Sequence, residues 1–153
     1  MRLEIADRAP AFTLLDQSGQ SVRLKDFAGE RVVLYFYPAD DTPGCTTEAC
    51  QFNDEMARFA GLGVKVVGIS PDDGAKHQGF IAKYGLTFTL LSDPERVVMT
   101  AYGAYGEKKL YGKTVTGVIR STFVIGPTGR VEHAWYGVRA NGHANRVLAT
   151  LTD

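Results

Sequence analysis

The sequence predicts an α/β fold built on a mixed central sheet with helices covering both faces. Two observations carry this. The segments Arg31 to Tyr37 (RVVLYFY) and Val64 to Ile69 (VKVVGI) are nearly continuous runs of β-branched, aromatic and aliphatic residues. Runs without clean alternation suit strands buried on both sides. Between and after them lie segments with helical spacing, so strands and helices alternate, and alternation of this kind builds a layered sheet.

Taken in order, Thr13 to Leu15 and Val22 to Leu24 flank the turn-rich Asp16-Gln17-Ser18-Gly19-Gln20 and read as an N-terminal β-hairpin. After the first buried strand, a loop with Pro and Gly leads into Thr46 to Phe59, where Ala49, Phe52, Met56 and Phe59 recur at helical spacing. Lys76 to Tyr84 reads as a second helix, and Thr89 to Leu91 as a short strand. Asp93-Pro94 has the cap-then-proline grammar of a helix entry. Ser121 to Ile125 and Arg130 to Tyr136 flank Gly126-Pro127-Thr128-Gly129 as an antiparallel hairpin, and Asn141 to Leu151 closes the chain as a helix. This order is that of a thioredoxin-like fold, expected to occupy residues 1–153 as one domain.

Composition narrows the function. Of 153 residues, 44% are hydrophobic and 22% charged, enough for a sizeable core. Seventeen basic residues balance seventeen acidic ones, which argues against a broad cationic surface for nucleic acid or anionic lipid. No apolar run approaches the roughly 20 residues of a membrane span, and the N-terminus lacks the layout of a signal peptide. The two cysteines are too few for a disulfide scaffold. The expected compartment is the reducing cytoplasm, where a close cysteine pair tends to be catalytic or metal-binding.

That pair sits in Thr42-Pro43-Gly44-Cys45-Thr46-Thr47-Glu48-Ala49-Cys50. Thr42 suits the N-cap and Pro43 the first helical position, which places Cys45 in the first turn. There the sulfur meets unpaired backbone N–H groups and the positive end of the helix dipole, both of which favour the reactive thiolate. The competing reading is a small buried hydrophobe. Cys50 follows five residues later, about 140° around an ideal helix with Cα atoms roughly 8.6 Å apart. A disulfide rarely spans more than about 7 Å, so the two bond only if the helix unwinds. A reversible redox pair coupled to local unfolding fits better than a structural staple, because closing so small a loop restrains the unfolded chain little.

Other chemistries fit less well. A zinc site needs about four ligands, and His77, His133 and His143 are not spaced to complete one. A phosphatase-type loop needs an arginine shortly after the nucleophile, where this chain has Gln51. A general disulfide oxidoreductase usually carries Cys-x-x-Cys, whereas four residues separate these cysteines. A binding or chaperone module with incidental cysteines is the non-enzymatic alternative. No metal or organic cofactor is expected.

At these residues the chain resembles the peroxiredoxins, specifically the bacterioferritin comigratory protein (PrxQ-like) subfamily. Pro38-x-x-x-Thr42-x-x-Cys45 matches the peroxidatic signature of the family. The likeness continues through Gly68-Ile69-Ser70-x-Asp72, Lys83-Tyr84, Leu90-Leu91-Ser92-Asp93-Pro94, Gly106-Glu107-Lys108 and Arg120-Ser121-Thr122-Phe123. Departures are mild: Lys76 stands where serine is frequent, and Tyr105 where tryptophan is. The resemblance implies reduction of hydrogen peroxide and organic hydroperoxides by a peroxidatic Cys45. Its sulfenic acid would be resolved by Cys50 to an intramolecular disulfide, which thioredoxin or a similar dithiol such as glutaredoxin recycles. It also implies that Thr42 directs its hydroxyl to the thiolate or peroxide, that Arg120 brings a cation beside the sulfur, and that Pro38 shields it. Glu48, a carboxylate one turn from Cys45, is expected to pair with Arg120 and orient it. Because the second cysteine lies in the same chain, a monomer suffices.

Overall fold

The structure is a computed structural model and describes residues 2–152. Strands β1 (Thr13–Asp16) and β2 (Ser21–Arg23) form the expected N-terminal hairpin. Its turn is closed by the Asp16 carboxylate, which accepts from the backbone N–H of Ser18 at 2.8 Å and of Gln20 at 3.0 Å. Then follow β3 (Arg31–Phe36), α1 (Pro43–Asp54), α2 (Met56–Gly61), β4 (Val64–Ser70), α3 (Gly74–Tyr84), β5 (Thr89–Ser92) and α4 (Val97–Ala101). The chain ends with β6 (Tyr105–Leu110), β7 (Lys113–Val118), β8 (Ser121–Ile125), β9 (Val131–Tyr136) and α5 (His143–Leu151).

Seven strands make one mixed sheet in the order β2-β1-β5-β4-β3-β8-β9. Strands β3, β4 and β5 are parallel, while β8 pairs antiparallel with β3. Strand alternation on β3 divides the core in two. Val33, Tyr35 and Tyr37 pack with residues of α1, α2, α3 and α5, among them Ala49, Phe52, Phe59, Phe80 and Val147. Val32, Leu34 and Phe36 point the other way, among Phe12, Met99, Tyr102 and Phe123. Both faces are therefore dry, which is why the strand sequence shows no polar alternation.

Two expectations are corrected and one element is added. The helix read over Thr46 to Phe59 is two helices that break at Glu55. Just before the break, the Asn53 side chain donates to the Gly85 carbonyl and accepts from the N–H and hydroxyl of Thr87, which ties the end of α1 to the α3–β5 loop. Asp93-Pro94 does not begin a helix. It forms a turn in which the Asp93 carboxylate reaches forward to the N–H of Met99 at 2.9 Å, and α4 begins after Arg96, which holds φ at 61°. The separate β6–β7 hairpin has no counterpart in the sequence reading. Its turn is Tyr111-Gly112, both at positive φ, and β6 carries Lys108 and Lys109 where strand grammar asks for apolar residues.

Candidate active site

The backbone leaves the carboxyl end of β3 in the middle of the sheet, a place where α/β sheets commonly gather functional groups. Residues 37–42 turn it into α1, with Thr42 as N-cap at φ −92° and ψ 156° and Pro43 in the first helical position. Cys45 is thus the third helical residue, and its N–H belongs to the group without helical partners. The Thr42 hydroxyl caps nothing: it donates to the Ala39 carbonyl at 2.9 Å and closes the loop beneath the helix. Its oxygen retains lone pairs that can accept a hydrogen from a ligand. Pro38 lies half-buried in the same loop.

Cys45 is buried, and a cation meets it. Arg120 Nη2 lies 3.4 Å from Cys45 Sγ, and Arg120 Nη1 donates to Glu48 Oε1 at 2.6 Å. One guanidinium therefore bridges the thiol and a carboxylate one helical turn away, using the fork that only arginine possesses. Arg120 stands in the short link between β7 and β8, not on a strand, and Val138 N–H donates to its carbonyl at 3.1 Å. A Cβ on Gly44 would come within 3.2 Å of Arg120 Nη2, so the glycine leaves room for the guanidinium.

Burial sets the electrostatics of this trio. Burial pushes Glu48 up to about 7 and outweighs the attraction of Arg120. Its second oxygen, Oε2, has no hydrogen-bond partner among the described residues. Burial pulls Arg120 down, but the negative charge of Glu48 and Cys45 pushes it above its ordinary value. Cys50, half-buried farther along the unbroken α1, is a free thiol like Cys45, and burial followed by the Asp54 charge pushes it up. The two sulfurs sit on one wound helix, so the disulfide geometry requires that helix to open.

The AhpC/TSA family matches residues 5–134. A putative peroxiredoxin of Mycobacterium tuberculosis is 54% identical over 151 residues, covering 99% of this chain and 96% of the relative. Peroxiredoxin Bcp of Bacillus subtilis is 43% identical over 153 residues, covering 100% of this chain and 98% of its own. The chain belongs to the AhpC/TSA family, as a peroxiredoxin of the Bcp/PrxQ type. Solved structures agree. Peroxiredoxin Q of Xanthomonas campestris superposes with a TM-score of 0.87 at 42% identity, covering 92% of this chain and 89% of that one. A PrxQ mutant from Xylella fastidiosa gives 0.92 at 37%, covering 99% and 97%. Membership makes this protein a thiol peroxidase with a thioredoxin-type fold.

In this peroxiredoxin the geometry brings Cys45, Arg120 and Glu48 into direct contact and sets Thr42 and Pro38 in the loop beneath them. His77 and His143, set aside in the sequence as zinc ligands, are both buried and flank the site. His143, at the start of α5, contacts the Thr122 hydroxyl at 2.8 Å and packs against Phe52 and Trp135. Burial, then the charges of Arg146 and Arg120, pull it down to about 4, so it adds no cation near neutral pH. His77, on α3, bonds Asp40 in the loop before the helix. Neither contact leaves a signal in local spacing.

Glu48 makes a pH prediction. Its folded-state value, about 7, exceeds the ordinary 4.5, so its contribution to stability is fully present below pH 4.5 and is lost as pH rises through 7. Replacing Glu48 by Gln removes that titration. The Tm of the variant relative to wild type should therefore rise as pH goes from about 5 to about 8, read by thermal denaturation. The variant should also change the rate of reaction with peroxide, because the amide orients Arg120 without a negative charge. Parallel Tm curves together with an unchanged rate would show that Glu48 does not act through Arg120.

Proposed function

We propose that this protein reduces hydrogen peroxide and organic hydroperoxides through a Cys45–Cys50 cycle. The observation that carries the reading is Arg120 Nη2 at 3.4 Å from a sulfur in the first turn of a helix. The Cys45 thiolate attacks the nearer peroxide oxygen, and its electron pair forms the S–O bond as the O–O bond breaks. The departing oxygen takes the bonding pair and a proton and leaves as water or an alcohol, while Cys45 becomes a sulfenic acid. Arg120 stabilises the charge moving onto the oxygens. Thr42 accepts a hydrogen from the peroxide, and Pro38 keeps water from the sulfur.

Resolution follows when residues around Cys45 and Cys50 unwind. The Cys50 sulfur, once deprotonated, displaces hydroxide from the sulfenic acid, which leaves as water, and the disulfide forms. A dithiol of the thioredoxin or glutaredoxin kind then reduces it by exchange. All these steps occur within one chain, so a monomer suffices, working in the reducing cytoplasm. The alkyl peroxide reduction activity of the Xanthomonas campestris bacterioferritin comigratory protein, a structural neighbour at 42% identity, supports including organic hydroperoxides.

The test is Cys50→Ser. Without reductant, the variant should consume one equivalent of peroxide per chain and hold Cys45 as a sulfenic acid that a dimedone-type reagent traps. With thioredoxin and its reductase it should not cycle, and excess peroxide should drive it to the sulfinic acid. Sustained thioredoxin-coupled turnover by this variant would contradict Cys50 as the resolving residue.

A further inference from the structure

The loop that carries Thr42 into α1 is held from both sides of β3, and only one side belongs to the site described so far. Arg120 approaches from the β8 side. From the β4 side comes a buried polar chain that the peroxide chemistry does not use. The side chains of His77 and Asp40 are fully buried. His77 Nδ1 lies 2.6 Å from Asp40 Oδ2, and Nε2 lies 3.0 Å from the Leu91 carbonyl on β5.

The Leu91 carbonyl can only accept, so Nε2 carries a hydrogen and donates to it, and Nδ1 is left to make the contact with Asp40. The other Asp40 oxygen accepts from the Tyr37 hydroxyl. The Asp40 backbone N–H donates to Asp72 Oδ2 at 2.7 Å, and Asp72 is itself held by the Ser70 hydroxyl. Next to it, Asp41 stands at φ 61° and is tied to Lys83 and Tyr84 on the surface. The surface tie is weakened by salt, whereas the buried one is screened much less. A fully buried polar pair is a poor way to gain stability, because apolar packing does as well. What it supplies here is a fixed position for residues 39–42, and so for Thr42 and the first turn bearing Cys45.

We propose that His77, acting through Asp40, is a positioning residue for the peroxide reaction: it fixes the loop beneath Cys45 from the β4 side, independently of Arg120. This rests on the peroxidatic reading of Cys45. Arg120 touches the sulfur itself, so loss of the His77 tie should alter the rate without altering the ionisation of the thiol. A loosened loop should also let α1 open more readily, so oxidation and resolution should move in opposite directions.

The test is stopped-flow fluorescence of Trp135, the single tryptophan, on the reduced full chain mixed with hydrogen peroxide. It separates the peroxide-dependent oxidation from the peroxide-independent resolution, and an alkylation titration of Cys45 runs alongside. His77→Gln places its amide near the Nε2 position, where it can reach Leu91 but not Asp40. It should slow oxidation about tenfold or more, speed resolution and leave the alkylation titration in place. His77→Asn places its amide near Nδ1, keeps the link to Asp40 and should recover most of the oxidation rate.

Should His77→Gln fail to fold, Asp40→Asn and Asp40→Ala decide the matter. The amide of Asp40→Asn can still accept from Tyr37 and donate to a neutral ring, so oxidation should stay within about threefold of wild type, while Asp40→Ala should lose about tenfold. Equal rates in His77→Gln and wild type, equal losses in His77→Gln and His77→Asn, or equal rates in the two Asp40 variants would overturn the proposal. A wild type inert to peroxide would overturn the peroxidase cycle and this inference with it.

Discussion

Cys45→Ser is expected to consume no peroxide above the uncatalysed background, even in a single turnover with every other residue in place. A serine hydroxyl stays protonated at neutral pH, and its oxygen is a far poorer nucleophile toward peroxide than sulfur in its thiolate form. The loss should be the whole catalytic effect, about 10⁴-fold or more. The fold should survive, since the substitution exchanges one atom for a smaller one in a buried position while Arg120 keeps its 2.6 Å bond to Glu48. The check pairs a peroxide-consumption assay with a melting curve. An inactive variant with a near wild-type Tm is the predicted outcome, and residual first-turnover activity would mean that Cys45 is not the nucleophile.

Arg120 carries the second-largest expected effect. It offers one nitrogen to the sulfur and another to Glu48, so Arg120→Ala removes a cation from the reacting atoms and also strands a buried carboxylate. The first loss should lower the oxidation rate about 10²- to 10³-fold, by analogy with removal of a transition-state donor. The second takes from Glu48 the cation that held its value down, so the carboxyl takes up a proton and the chain loses a buried hydrogen bond, about 1–3 kcal/mol. Arg120→Lys separates the two. A lysine is a point charge without the fork and can serve the sulfur or the carboxylate but not both, so the rate should fall while much of the stability returns. A rate within a few-fold of wild type in Arg120→Lys would show that charge alone suffices and the bidentate geometry does not matter.

How much of this was legible beforehand depended on how local the cause was. The start of α1 was readable because Thr42, Pro43 and Cys45 are adjacent, and caps and first-turn prolines act over three or four residues. Strand β3 was readable because both faces are dry and every residue from Val32 to Phe36 is buried. The break at Glu55 was not, because the apolar spacing runs through it and the competing contact is Asn53 with residues of another loop. The β6–β7 hairpin stayed hidden because its strands are largely exposed and its turn uses Tyr111 where Asn or Asp is usual.

The site divides the same way. Cys45, Cys50, Thr42 and Glu48 lie in one short stretch, but Arg120 meets Cys45 across 75 positions of sequence. Nothing in the composition around Arg120 marks it, and only the resemblance to a family raised it above a surface charge. The Thr42 hydroxyl hydrogen goes to the Ala39 carbonyl, a partner in the same turn that the residue pattern did not announce. The contact between His77 and Asp40, 37 positions apart, ties a helix to the loop after β3 without any local pattern to announce it.

In the proposed cycle one chain oxidises at Cys45 and closes on Cys50 by opening α1. The most direct measurement treats reduced wild-type protein with one molar equivalent of hydroperoxide and follows free thiols, intact mass and the linked peptides. Both thiols should disappear together, the monomer mass should fall by two hydrogens, and a Cys45–Cys50 bridge should be recovered within a single chain. Two surviving thiols, or a bridge found only between chains, would contradict it.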